Sequence, residues 1–274
     1  MLSAWRLAAM KVMGIVNVTP DSFSDGGRYF EPGAALEHAR RLIAEGADIL
    51  DIGAESTRPG SDPVSAEDEI ARAEPLIRAI RAESDIPISI DTMKPQVARA
   101  AVAAGADIWN DVTALGFAGD AAATAAELGC EVVLMHMQGE PRTMQADPHY
   151  DDVVAEVCAF LEGRAARAVA AGVAREKIWL DPGIGFGKRL KHNLALLAHL
   201  DRVVALGFPV LLGVSRKRFI AALDPAGEAL DGRLAGSLAA GLAGAAVGVA
   251  ALRAHDVAET VQAVKVWNAI AQAR

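Results

Sequence analysis

A helical stretch rich in Ala and Leu ends in Gly, two or three residues follow, and then a short apolar or β-branched run appears. This unit recurs along the chain and marks alternating helices and parallel strands. The punctuating glycines are Gly46, Gly105, Gly129, Gly172, Gly207 and Gly244, each placed where a helix would end in the left-handed conformation that glycine adopts cheaply. The strands predicted from the pattern are Val12 to Val18, Ile49 to Gly53, Ile86 to Ile90, Ile108 to Val112, Val132 to His136, Ile178 to Asp181, Val210 to Ser215 and Val247 to Arg253. Their near-continuous apolar character suits parallel strands covered on both faces. Between them lie helical spacings such as Leu36, Ala39, Leu42, Ile43 and Val153, Val157, Leu161. Pro95 reads as a first-turn proline, and Ser65 with Asp68 as a capping box. Eight strands, rather than five or six, favour a (β/α)8 TIM barrel over an open doubly wound sheet. With 274 residues and no Pro/Ser-rich linker, the expectation is one barrel domain over residues 1–274, residues 1–10 forming a short leader into the first strand.

Composition narrows the partners. Net charge is −8, from 27 Lys+Arg against 35 Asp+Glu, which argues against a nucleic-acid binder because phosphate neutralisation needs a basic face. Cys130 and Cys158 are the only cysteines, both in apolar segments, and this fits free buried thiols in a reducing, cytoplasmic compartment. Residues 1–11 have too short an apolar run for a signal peptide. The uncharged stretch Leu234 to Leu252, with its Gly244/Gly248 spacing, needs a membrane check. It is rich in Ala and Gly, and Gly244 is expected to split it into a helical half and the last strand, so no membrane span is predicted.

Polar residues cluster at the C-terminal ends of the predicted strands, where barrels of this type place their active sites. In order they are Asn17, Asp51 with Thr57 beyond it, Asp91, Asn110 with Asp111, His136, Asp181, Lys217, and Arg253 with His255. One Asn or Asp after a strand often does no more than start a helix or close an Asx-turn. Carboxylates, amides and cations converging from all eight strands make a costly arrangement unless a polar ligand completes it. Asp91, Asn110 and Asp181 suit an edge rich in N–H donors, as on a heterocycle. Lys217, Arg253 and His255 come from the last two strands, where barrels commonly hold phosphate, and a helix start after Asp256 adds backbone donors.

The segments Thr19 to Gly27 and Glu55 to Gly60 are short, polar and Gly/Pro-punctuated, and read as lids. Asp181 to Gly187 has the look of a glycine-rich phosphate loop but lacks the Lys-Ser/Thr of a P-loop and the full GxGxxG spacing. No HExxH, CxxC or GxSxG occurs, and the six histidines show no zinc spacing; His38, His192 and His199 read as solvated helix residues.

Gly14-Ile-Val-Asn-Val-Thr-Pro-Asp-Ser-Phe-Ser-Asp-Gly-Gly27 and Asp51-Ile-Gly-Ala-Glu-Ser-Thr-Arg-Pro-Gly60 resemble the two signatures of the dihydropteroate synthase family. Ser89-Ile-Asp-Thr92, Asn110-Asp111, Met135-His-Met-Gln-Gly139, Asp181 to Lys188, Gly213-Val-Ser-Arg-Lys217 and Arg253-Ala-His-Asp-Val257 extend the resemblance in the family's order, over nearly all of the chain after residue 10.

The resemblance implies that the arylamine of 4-aminobenzoate displaces diphosphate from 7,8-dihydropterin-6-ylmethyl diphosphate. It implies that Asp91, Asn110, Asp181 and Lys217 hold the pterin, that Asn17 contacts Mg²⁺ on the diphosphate, and that Thr57, Arg253 and His255 contact its oxygens. Phe23, Arg58, Pro59, Phe186 and Lys217 would shape the 4-aminobenzoate site. Asp91, Asp181, Lys217, Arg253 and His255 would carry the catalysis, chiefly by stabilising the leaving diphosphate. A homodimer is also implied, with Val261, Val264 and Trp267 as candidate contacts. Ala254 stands where the family more often has a bulkier residue, and Arg218 where Ser is frequent. Two rival readings remain: a pterin-dependent methyltransferase barrel, which should lack the two loop signatures, and an idle pterin-binding paralogue that keeps the residues without turnover.

Overall fold

The computed structural model describes residues 10–18, 32–56 and 62–273. Its eight strands are β1 (Lys11–Asn17), β2 (Ile49–Gly53), β3 (Ile88–Asp91), β4 (Ile108–Asp111), β5 (Glu131–Met135), β6 (Ile178–Asp181), β7 (Leu211–Gly213) and β8 (Ala251–Ala254). Every pairing is parallel, in the order β6-β5-β4-β3-β2-β1-β8-β7. The two ends of that order meet through the bridge Leu180–Val210 and the bond from Leu180 N–H to the Pro209 carbonyl at 2.9 Å, which closes the barrel.

Helices α1 (Pro32–Ala44), α2 (Ala66–Arg81), α3 (Pro95–Ala104), α4 (Ala121–Leu128), α5 (Val153–Ala170), α6 (Leu190–Ala198), α7 (Leu200–Val204), α8 (Arg218–Leu223), α9 (Leu234–Val247) and α10 (Val257–Gln272) lie between and after the strands. Their apolar stripes and the outward side chains of the strands share one continuous core, with Leu42, Leu76, Ile77, Leu161 and Leu196 almost fully buried. A fully buried side chain of this kind contributes about 1.5–3 kcal/mol, so this layer is the main source of stability. Pro95 occupies the first turn of α3, and Ser65 caps α2, its hydroxyl accepting the Asp68 amide at 3.1 Å. The return bond from the Asp68 side chain, the other half of a capping box, is not made.

Five of the six punctuating glycines, Gly46, Gly105, Gly129, Gly172 and Gly207, have the positive φ predicted for them. Gly244 does not. It lies inside α9, and the left-handed cap is Gly248 at φ +88°. The error has a packing cause. A β-carbon on Gly241 would come within 2.8 Å of Leu252, and one on Gly244 within 2.6 Å of Leu212. The glycines let α9 lie directly on β8 and β7, so Val247 ends a helix and the strand begins at Ala251. Strand β3 likewise starts later than predicted. Pro87 offers only its carbonyl, to Leu50 N–H at 3.0 Å, and has no amide for the ladder. Val261 and Val264 point into the core, so they are not surface contacts; the exposed apolar residues of α10 are Val266 and Ile270, with Trp267 half-buried. Among the described residues no helix is long and apolar enough to cross a membrane.

Candidate active site

Successive side chains point to opposite faces of a strand, so residues two apart share a face. Inside the barrel, Met13, Ile49, Ile108, Val133, Trp179, Leu211 and Ala251 form an apolar plug, one from each of seven strands. Two residues further along those strands stand Ile15, Asp51, Asn110, Met135, Asp181, Gly213 and Arg253. Asp91 of β3 lies in register with Asn110 and Gly53, and so joins the same inner face. The switch from plug to polar ring happens within one pleat. Above it opens a cleft of ≈ 370 Å³, open solvent included, with Asp91, Asn110, Asp181, Lys217 and Arg253 as polar lining and Val112, Met135, Ile184 and Phe186 as apolar walls.

Arg253 is the electrostatic centre. Its Nε donates to Asp51 Oδ2 at 2.6 Å and its Nη2 to Asp91 Oδ2 at 2.8 Å. Burial opposes its charge, but the two carboxylates outweigh burial and hold the guanidinium protonated. Asn110 Nδ2 lies 3.4 Å from both oxygens of Asp51. The second oxygen of Asp91, Oδ1, is buried without a partner. Burial pushes the Asp91 carboxyl well above the ordinary carboxylate range, against the pull of Arg253. Asp181 is also raised by burial; its Oδ1 accepts the Gly183 amide at 2.7 Å. Lys217 Nζ stands 4.2 Å from the centre of the Phe186 ring, and burial lowers its ammonium to about 8 despite Asp181. An orphaned carboxylate oxygen, raised carboxyls and a lowered ammonium around one cleft describe a site prepared for a polar, hydrogen-bonding ligand.

Three amides of the loop after β6 are already spent within the protein: Gly183 N–H bonds Asp181, Gly185 N–H bonds Asn193 Oδ1 at 2.7 Å, and Phe186 N–H bonds the Gly183 carbonyl. The glycines serve close approach, since a β-carbon on Gly183, at φ +65°, would stand 1.9 Å from the His136 carbonyl oxygen. Lys188, which sequence reasoning passed over, locks this loop. Its buried Nζ reaches the carbonyls of Gly183 (2.9 Å), Phe186 (3.0 Å) and His136 (3.3 Å), and His136 Nδ1 (2.9 Å). The ammonium thereby fixes the backbone on either side of Phe186.

Several strand-end residues therefore have other duties. His136 faces away from the cleft into Lys188, Tyr150 and Phe160, and burial holds its imidazole neutral, at about 3. The cleft receives Met135 from β5 instead. Asp111 folds back on its own turn, accepting from Thr113 N–H and Oγ1 at 2.7 Å and from Leu115 N–H at 2.9 Å. His192 is buried, with its ring edge-on to Tyr150 and its Nδ1 accepting the Arg189 amide, and His38 Nε2 lies 3.2 Å from the Ile15 carbonyl. Of those three only His199 is exposed as predicted, and it sits in the turn between α6 and α7 rather than within a helix. His255 stands beside the cleft with Nδ1 on Ser215 Oγ at 3.0 Å.

Asn17, at the end of β1, accepts or donates no side-chain hydrogen bond among the described residues, and its Oδ1 lies beside Gly53, its register partner on the neighbouring β2. A buried cluster also sits at the start of the second loop. Lys94 Nζ bonds Glu55 at 2.7 Å and Glu69 at 2.8 Å, while Glu55 accepts the Val64 amide. Neither periodicity nor motif spacing signals it. Phe23, Thr57, Arg58 and Pro59, with both lid segments beyond Val18 and Ser56, lie outside the described residues.

Residues 13–255 match the family model of the pterin binding enzymes. Dihydropteroate synthase of Neisseria meningitidis serogroup B is 51% identical over 265 residues, covering 95% of this chain and 92% of that protein. Dihydropteroate synthase of Xanthomonas albilineans with 4-aminobenzoic acid superposes with a TM-score of 0.90 at 52% identity, over 96% of this chain and 93% of that one. The same enzyme in complex with 7,8-dihydropteroate gives a TM-score of 0.86 at 49% identity, over 96% and 94%.

Proposed function

The chain belongs to the pterin-binding enzymes and, within them, to the dihydropteroate synthases, and on that premise we propose how its residues divide the work of joining 7,8-dihydropterin-6-ylmethyl diphosphate to 4-aminobenzoate. It is a transferase of folate biosynthesis, and its products are 7,8-dihydropteroate and diphosphate. The observation that carries the division is the polar ring one pleat above the apolar plug, with Asp91 Oδ1 unpartnered and Lys217 over Phe186.

The pterin lies in the cleft with its N–H edge on Asp91 and Asp181, and with Asn110 and Lys217 matching its ring nitrogen and carbonyl groups. Carboxylates are the right acceptors for such an edge, because bonds to an ionised partner are roughly twice as strong as neutral ones. Phe186 and Lys217 border the place of 4-aminobenzoate, and Arg253 and His255 face the diphosphate; Phe23, Arg58 and Pro59 are assigned to the first and Thr57 to the second by the family resemblance alone. In the reaction the bond from the pterin methylene carbon to the diphosphate oxygen breaks, its electron pair leaving with that oxygen. The arylamine lone pair makes the new carbon–nitrogen bond, and the amine proton passes to water. Arg253 and His255 donate hydrogen bonds to the charge collecting on the departing group. Asp91 and Asp181 tolerate the positive charge on the pterin side. A neutral arylamine attacks with its own lone pair and needs no strong base.

Mg²⁺ belongs to the proposal with Asn17 as its protein contact. Asn17 supplies an uncommitted neutral oxygen, and no group of three or more His, Cys, Asp or Glu among the described residues is arranged to hold a metal by itself. That donor set fits an ion that keeps its waters and takes most of its remaining ligands from substrate phosphate. When bound, Mg²⁺ would neutralise part of the diphosphate charge. The proposal also includes a single barrel domain, a cytoplasmic location consistent with two free cysteines, and a homodimer. The test is direct: with both substrates, diphosphate and dihydropteroate should form together in the presence of Mg²⁺ and not without it. Pterin binding with neither product would point instead to an idle paralogue.

Lys217 makes the pH dependence a second test. Its ammonium is lowered to about 8, so it is charged and donating below that pH and neutral above. The value of kcat/KM for the dihydropterin diphosphate is expected to fall tenfold per pH unit above about pH 8, the limb of a single proton lost from the free enzyme. A profile flat to pH 9.5 would remove the charged Lys217 from the mechanism.

A further inference from the structure

Ser215 and Arg216 follow β7, and His255 and Asp256 follow β8. The two pairs of neighbours are joined rung by rung. Ser215 Oγ lies 3.0 Å from His255 Nδ1 and accepts the His255 backbone amide at 3.1 Å. Arg216 Nε and Nη2 reach the two oxygens of Asp256 at 3.0 and 2.5 Å. Arg216 holds a left-handed backbone, φ +56°, which a non-glycine residue keeps only where its surroundings impose it. Those surroundings are Ser237 Oγ, accepting the Arg216 amide at 2.9 Å, and Arg233 Nη1, donating to the Arg216 carbonyl at 3.0 Å. The brace is complete without any ligand.

The consequence lies in the proton on Ser215. A hydroxyl has one proton to give and two lone pairs. One lone pair takes the His255 amide, and Ser215 is buried at 8% exposure, where an unused O–H is costly. Among the described residues the acceptor within reach is His255 Nδ1. An imidazole that accepts at Nδ1 carries its own proton on Nε2. The opposite tautomer would leave the Ser215 proton without an acceptor and a lone pair, not a proton, on Nε2. We propose that Ser215 is a positioning residue that fixes His255 as a neutral Nε2–H donor aimed at the diphosphate, on the reading of His255 given above. Burial, followed by Arg253 and Arg216, holds the imidazole well below its usual range, at about 3, so the ring stays neutral throughout the working pH range. His255 then stabilises the leaving oxygens by donating a hydrogen bond and does not transfer a proton to them.

Long-range ¹H–¹⁵N spectra of the full chain labelled with [¹⁵N]histidine at pH 7.5 read the tautomer, with His255 assigned by the signal missing in His255→Asn. The parent is expected to show the Nε2–H form. In Ser215→Ala the signal should move to a mixture of tautomers, and affinity for inorganic diphosphate with Mg²⁺ should fall about tenfold, the effect of one hydrogen bond. Binding of a pterin lacking the phosphates should stay unchanged, and Ser215→Thr should restore both readings. An Nδ1–H form in the parent overturns the proposal, and so does a Ser215→Ala protein with unaltered tautomer and diphosphate affinity. If Ser215→Ala fails to fold, the parent tautomer and the Thr variant still decide. Unchanged diphosphate affinity in His255→Asn would instead overturn the reading of His255, whatever tautomer the parent shows.

Discussion

Asp181→Asn is expected to fold at least as stably as the parent protein and to lose on the order of 10³-fold in kcat/KM for the dihydropterin diphosphate. The two effects share one cause. Asp181 is buried at the end of β6, and burial raises its carboxyl despite the Gly183 amide and the charges of Lys217 and Lys188. A folded-state value above the unfolded one means that the folded chain holds the proton more tightly. The carboxylate therefore detracts from stability as pH rises above its unfolded value near 4, and the charge is a net burden at neutral pH. Asparagine removes that burden and keeps an oxygen for the Gly183 amide, now bonded at 2.7 Å. Toward the pterin it presents N–H groups where the ligand has N–H groups of its own, so donors on both sides are left unpaired. Unfolding in urea at pH 7.5, beside steady-state kinetics, reads both effects. A variant with full turnover would end the pterin role of Asp181. One that lost activity only in proportion to stability would make the residue structural.

That separation explains why some of the site could be read from residues and some could not. Asp91, Asn110, Asp181, Lys217 and Arg253 were found as polar residues at the ends of apolar runs, and the cleft brings all five together. The signal is strong for Asp91, Asn110, Asp181 and Arg253 because each breaks a strand's apolar character where the inner face turns polar, while Lys217 stands beyond β7 at the cap of α8. His136 carries the same signal at the end of β5 and turns away, because Lys188 and Phe160 receive its ring. Which way the residue after a strand faces depends on loop packing, and no periodicity records that. Lys188 and Lys94 were hidden for the opposite reason. A lysine after a glycine run or before a helix looks solvated, and only the carbonyls and carboxylates gathered by the fold show otherwise. The eight strands themselves were legible, but the start of the last was misplaced because glycine in α9 serves contact with β7 and β8 rather than termination.

Arg253→Met is expected to cost about 3–5 kcal/mol of stability at pH 7.5, the penalty for leaving buried charge without its partner. In the parent, Nε and Nη2 of Arg253 are committed to Asp51 and Asp91 at 2.6 and 2.8 Å, which leaves Nη1 as the group best placed for diphosphate. Without the guanidinium the two carboxylates, on the adjacent strands β2 and β3, keep no cation between them. Burial and Asp51 already raise Asp91, with Arg253 as the main opposing influence, so its loss lifts the carboxyl further. The sign of the pH dependence follows. Between the unfolded value near 4 and the raised folded value, the folded variant holds a proton that the unfolded chain releases, so stability falls as pH rises through that window. Acidification from pH 7.5 to 5.5 should therefore recover part of the deficit, while Arg253→Lys should remain deficient because one ammonium cannot reproduce the fork between two carboxylates. Urea midpoints of all three proteins at both pH values decide the matter. Equal stability of the Met variant and the parent at pH 7.5, or a deficit unchanged at pH 5.5, would show that Asp51 and Asp91 do not depend on Arg253. Its role would then reduce to contact with the leaving diphosphate. If the deficit and its recovery are found, the same guanidinium both holds the two carboxylates in the barrel and faces the leaving group, so substitutions at this position cannot separate folding from catalysis.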